Sequence, residues 1–242
     1  MKRRPQTLAF LLTLPFLAGE LFLSRAADPI TIAKTRDMTF QDEKEVAEWM
    51  IAVKSGDIAA AKKILATPID INVTGKDSWT ALMWAAELGR REMAAFLIQQ
   101  GADIRARNKE GSVALSMAAQ HGHEDLVKLL LNAGIAINFQ NQTGTSALMI
   151  AALEGQTNVV KLLIERGADL NLRDKYRNTA VLLAAHEGNV GIAKLLIDHG
   201  ARMEPGEQEW IAAQPQPENR TLESLWQMIH QAEGDKVAEK PK

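Results

Sequence analysis

The 242-residue chain contains no cysteine. That absence removes disulfides, thiolate zinc sites, iron–sulfur clusters and every cysteine nucleophile. Aromatic residues make up only 5%, so a core must be built mainly from Ala, Leu, Ile and Val. Neither sign of charge dominates: 28 Lys and Arg stand against 30 Asp and Glu, a formal net charge of −2. A nucleic-acid partner needs a concentrated basic face, and this balance argues against one. Catalytic signatures are missing too. There is no Gly-x-Ser-x-Gly elbow, no Gly-x-x-x-x-Gly-Lys phosphate cradle and no His-Glu-x-x-His pair. The remaining composition, 46% hydrophobic and 24% charged, is that of a folded chain and excludes wholesale disorder.

The first 26 residues carry an address. Lys2, Arg3 and Arg4 give a basic start, an apolar run extends from Leu8 to Gly19, and Ser24-Arg25-Ala26 places small residues on either side of one variable position. This is the order of a secretory signal peptide, with cleavage expected after Ala26. The run falls short of the roughly 20 residues a spanning helix needs, and Glu20 interrupts it; an uncleaved anchor is the alternative. No cysteine follows to carry a lipid. Cleavage would remove four cations (Lys2, Arg3, Arg4, Arg25) and one anion (Glu20), leaving a mature chain of net charge −5. The expected location is the periplasm or the exterior.

The rest is organised by a period of 33. Gly56, Gly89, Gly122, Gly155 and Gly188 form one series, and Gly101, Gly134, Gly167 and Gly200 a second. Alanine pairs keep step at 85–86, 118–119, 151–152 and 184–185, and aliphatic pairs at 97–98, 130–131, 163–164 and 196–197. Several series sharing one period mark a repeat architecture. In one copy, Ser146 can cap a short helix, Ala151 and Ala152 let a neighbour approach closely, and Gly155 supplies the left-handed residue that ends it. Residues 158–166 then place apolar side chains at helical spacing. Such a unit cannot bury its faces alone and must stack.

On these residues the chain resembles the ankyrin repeat family. Thr80-Ala81-Leu82-Met83-Trp84-Ala85-Ala86, Gly101-Ala102-Asp103-Ile104, Gly122-His123 and Gly167-Ala168-Asp169-Leu170-Asn171 carry the likeness. The family's Thr-Pro-Leu-His box is altered: Ala81, Ala114, Ala147 and Ala180 replace its proline, and Met83, Ser116, Met149 and Leu182 its histidine. The resemblance implies an all-α ankyrin-repeat solenoid of about five helix-turn-helix repeats with short hairpin loops and a C-terminal capping helix. The expected divisions are a signal peptide (1–26), an arm (27–41), five repeats (42–74, 75–107, 108–140, 141–173, 174–206) and a tail (207–242). The first repeat is degenerate: Pro68 stands where its siblings have glycine, so that turn must differ. Thr39 with Asp42 offers a helix-start box. In the tail, Leu222, Leu225, Trp226 and Ile229 fall on one face of a helix expected over 221–232, a cap for repeat five or a docking element.

Carried over residue by residue, the family's contact positions fall in two bands. Loop tips present Lys76, Asp77 and Trp79; Lys109, Glu110 and Ser112; Gln142, Thr143 and Thr145; and Lys175, Tyr176 and Asn178. Ends of the first helices present Glu87 and Leu88, Gln120 and His121, Leu153 and Glu154, and His186. Trp79 and Tyr176 are the aromatic candidates, since Trp, Tyr and Arg are enriched at binding hot spots; Trp49 and Trp84 are read as packed between helices. His123 is read as a structural hydrogen-bonding residue. His121 and His186 lie two repeat steps apart, roughly 20 Å at about 10 Å per helix layer, too far to share a metal. No catalytic residue, cofactor or metal is expected. The implied function is non-enzymatic binding of another protein, with no nucleic acid. By analogy with periplasmic ankyrin proteins the partner is an envelope or secreted hydrolase that is inhibited or guarded against. The alternative is a scaffold or assembly factor, membrane-tethered if the signal stays uncleaved.

Overall fold

The computed structural model describes residues 40–204, 206 and 207. The signal segment, the arm, the Thr39–Asp42 box and the helix expected over 221–232 lie outside the residues, or the side chains, so described. Among the described residues ten α-helices follow in pairs: α1 (Phe40–Ser55) and α2 (Ile58–Leu65), α3 (Ala81–Glu87) and α4 (Arg91–Gln99), α5 (Ala114–Gln120) and α6 (Glu124–Asn132), α7 (Ala147–Leu153) and α8 (Thr157–Glu165), α9 (Ala180–His186) and α10 (Val190–Asp198). Among the described residues there is no named strand, only an isolated bridge between Gln140 and Ser146. The first helices α1, α3, α5, α7 and α9 pack in succession, and α4, α6, α8 and α10 form a second row behind them. This is the expected all-α repeat solenoid.

The sequence dictates these short helices locally. Thr80, Ser146 and Thr179 each accept a hydrogen bond through the side-chain hydroxyl from the backbone N–H three residues on, at 3.3, 3.3 and 3.4 Å. Val113, at the same place before α5, has no hydroxyl to offer. The alanine pairs of α3, α5, α7 and α9 are all buried, and their small side chains permit the close approach of neighbouring first helices. The two glycine series read from the sequence have positive φ throughout, which L side chains adopt only with strain. Repeat one ends its second helix differently. Around Pro68 no residue is left-handed; instead the Thr67 hydroxyl and N–H both donate to the Ile64 carbonyl, at 2.6 and 2.9 Å.

Two ladders tie one repeat to the next. The last turn of a helix leaves carbonyls without an intrahelical donor, and the following repeat supplies one. Arg90 Nε donates to Lys54 O (3.0 Å), His123 Nε2 to Glu87 O (3.1 Å), Gln156 Nε2 to Gln120 O (2.9 Å) and Asn189 Nδ2 to Leu153 O (2.9 Å). His123 is thus structural, as expected, and its counterparts Arg90, Gln156 and Asn189 do the same work with different chemistry. In the second ladder, Asn72, Asn138 and Asn171 accept through Oδ1 from the N–H of Asp103, Asp169 and Arg202, at 2.8, 2.9 and 2.8 Å. Arg105 holds the equivalent position, and its guanidinium has no acceptor.

Candidate functional site

Four tips project between the helix pairs, and each is a five-residue turn closed by its own backbone. The N–H groups of Gly75, Asn108, Asn141 and Asp174 donate to the carbonyls of Trp79, Ser112, Thr145 and Asn178 over 2.8–3.1 Å. In three tips the opening side chain accepts two more bonds from backbone N–H groups. Asn108 Oδ1 takes the N–H of Glu110 and Ser112, Asn141 Oδ1 those of Thr143 and Thr145, and Asp174 Oδ1 those of Tyr176 and Asn178. Neighbouring tips are then joined, with Lys109 N donating to Asp77 O (2.8 Å), Gln142 N to Glu110 O (3.1 Å) and Lys175 N to Thr143 O (2.9 Å). The tips therefore form one hydrogen-bonded row rather than four independent loops.

Along that row, Lys76, Asp77, Lys109, Glu110, Gln142, Lys175 and Tyr176 are exposed. Lys175 Nζ lies 4.9 Å from the centre of the Tyr176 ring. Thr143 and Thr145 are half-buried, their hydroxyls 2.9 Å apart. Ser112 and Asn178 are corrections: both are buried. Their place in the turn puts the backbone N–H against the opening Asn or Asp and the side chain inward, so neither is offered to a partner. Trp79, at the same place in the first tip, is half-buried and lies on Trp84 with ring centroids 4.5 Å apart. Trp84 is itself half-buried rather than packed away, whereas Trp49 is fully buried.

The inner-helix ends form the second band. The Glu87 side chain is 11% exposed, with Oε1 3.1 Å from His121 Nε2 and Oε2 buried without a hydrogen-bond partner among the described residues. Leu88 is exposed, Gln120 half-buried and Glu154 exposed. Leu153 is half-buried, its carbonyl held by Asn189. His186 is exposed, with Nδ1 2.9 Å from Glu187 Oε1. Two residues of this band escaped the sequence reading: Ile51 and Lys54 on α1. Burial holds the Lys54 ammonium below the usual lysine value, and it sits 3.6 Å from the centre of the Trp84 ring. Their signal was present in the period, since they precede Trp84 and Glu87 by 33 residues.

The geometry defines a helical-repeat protein whose loop tips form one hydrogen-bonded row. Among the described residues no group of three His, Asp or Glu could hold a metal ion, and no helix is long and apolar enough to cross a membrane. A family model described as ankyrin repeats (3 copies) matches residues 49–141 and again 115–206, so the chain belongs to the ankyrin repeat family. Ankyrin repeats are generally non-enzymatic interaction domains that typically bind another protein, and they mark this chain as a protein–protein interaction module. A search of curated proteins found no match.

Proposed function

We propose that the chain is exported and that its tip row and inner-helix ends bind an envelope or secreted hydrolase, holding it inactive and so protecting the producing cell. The observation that carries this reading is the tip row. Lys109, Gln142 and Lys175 have exposed side chains on a backbone bonded from tip to tip. A surface ordered before contact loses little freedom on binding, and a stiff row can occlude an active-site cleft without chemistry of its own. The leader order of residues 1–26 supports export to the periplasm.

Two measurements test it. Mass spectrometry of protein recovered from the producing cell should show a mature N-terminus at Ala27; a retained residue 1 counts against cleavage. Partners captured from the envelope by the full chain should include a hydrolase whose activity falls with stoichiometric addition of the chain. Tyr176→Ala combined with Lys109→Ala should weaken that effect about tenfold or more. Recovery of a stable multiprotein complex with unchanged activity would sink inhibition and leave a scaffold.

A further inference from the structure

The surface is not uniform along the stack. Three large apolar side chains are exposed among the described residues: Ile51 (64%), Tyr176 (54%) and Leu88 (41%). Ile51 and Leu88 belong to one neighbourhood. They stand on α1 and immediately after α3, helices that pack side by side. Ile51 and Trp84 hold the same position in successive repeats, and Leu88 lies one turn beyond Trp84 on the same helix face. From the first tip, Trp79 leans against Trp84. Lys54 follows Ile51 by three residues, on the same face, with its ammonium over Trp84.

Lys54 brings a positive charge to this neighbourhood. Arg90 holds its backbone carbonyl, so the start of the side chain is fixed. Partial burial lowers its pKa from the usual lysine value. The fold does not require a cation there, because Glu87, Gln120, Leu153 and His186 occupy the same position in later repeats. A cation held partly out of water attracts a carboxylate more strongly than one in free solvent, since the effective dielectric is lower. The exposed apolar groups beside it favour burial of a partner's apolar side chain. Glu87, on α3 one repeat beyond Lys54, is engaged by His121 at 3.1 Å; farther along the band stand Glu154, His186 and Glu187, with no lysine or arginine at the position Lys54 holds.

We propose that the α1–α3 face receives a partner segment carrying a carboxylate next to a large apolar side chain, with the carboxylate on Lys54 and the apolar group among Ile51, Trp84 and Leu88. This rests on the reading of the chain as a protein-binding module and specifies the chemistry of one contact.

The test uses the full chain and a displayed library of short random peptides. Enriched peptides should carry Asp or Glu adjacent to Leu, Ile or Phe. A synthetic peptide of the enriched sequence should lose about tenfold or more in affinity when its acid becomes the amide, and a similar factor against Lys54→Gln. Leu88→Glu, which sets a like charge beside the site, should abolish binding. Each substitution installs a residue that a sibling repeat already carries (Gln120, Glu154), so the stack should stay folded, checked by an unchanged unfolding midpoint. Enrichment of peptides without an acid, no enrichment at all, or affinity indifferent to Lys54→Gln overturns the proposal. Peptides that instead lose binding on Tyr176→Ala overturn this contact while leaving the general reading intact. That reading fails separately, if the chain captures no envelope protein.

Discussion

The first tip (75–79) and the third (141–145) are closed by the same backbone bond and use their side chains in opposite ways. In the third, Asn141 Oδ1 accepts from two backbone N–H groups and from the Thr143 hydroxyl, while its Nδ2 reaches Ser112 Oγ at 3.4 Å. Gln142 Nε2 donates to Lys109 O (3.1 Å) and Gly144 takes the left-handed position. Nearly every polar group there is committed to the tip row. The first tip opens on Gly75, which has no side chain to order it. It holds Asp77 and Ser78 at φ 56° and 61° and turns its closing residue, Trp79, onto Trp84. The third tip is built for rigidity. The first trades internal satisfaction for an aromatic, cation-bearing surface, and backbone strain of that kind tends to collect where a protein binds.

Exchanging features between the two tips tests the contrast. The largest effect should come from Gly144→Ser, which puts the first tip's residue into the third. A Cβ there would meet the Asp174 backbone at 3.0 Å and the Lys175 nitrogen at 3.2 Å, on top of the left-handed cost. Stability to urea should fall by about 3 kcal/mol, and a loss below about 1 kcal/mol would mean the tip row is softer than its geometry implies. Next, Asn141→Gly, which mimics Gly75, removes three accepted hydrogen bonds and should cost about 2 kcal/mol by the same measurement. In the reverse direction, Ser78→Gly relieves a left-handed serine and should raise stability by about 1 kcal/mol. A loss there would show that Ser78 makes a contact worth more than its strain. The smallest change is expected from Val113→Thr, which gives α5 the cap that α3, α7 and α9 possess. It should add about 0.5 kcal/mol, read as a rise in unfolding midpoint at unchanged slope.

Much of the fold was legible because glycine and alanine periodicities report backbone conformation and helix spacing directly. Gly89, Gly122 and Gly155 mark left-handed residues whichever side chains surround them, and Ser146 caps α7 as its position requires. Pro68 announced a different turn, and the turn is different. The contact surface was less legible, since a residue in a tip can face outward or inward according to which backbone bond its neighbour makes. Ser112 and Asn178 were misjudged for that reason, although small polar residues at 112, 145 and 178 already pointed to an inward role. Trp79 was the exception at that place, and it found an aromatic neighbour instead of solvent. Lys54 is less legible because its repeat is degenerate, which obscures the register that equates it with Glu87.

The carbonyl ladder has a consequence for how such a chain can grow. Each of its four bonds joins a donor to a residue 36 positions earlier: Arg90 to Lys54, His123 to Glu87, Gln156 to Gln120 and Asn189 to Leu153. Arginine, histidine, glutamine and asparagine all serve, so the link tolerates drift in the donor provided the spacing is kept. In-frame duplication of a whole 33-residue unit between these rungs would recreate the bonds at both new junctions, whereas insertion of half a unit would break them. Heredity can therefore lengthen or shorten this protein one storey at a time, with each new storey already fitted to the one beneath it.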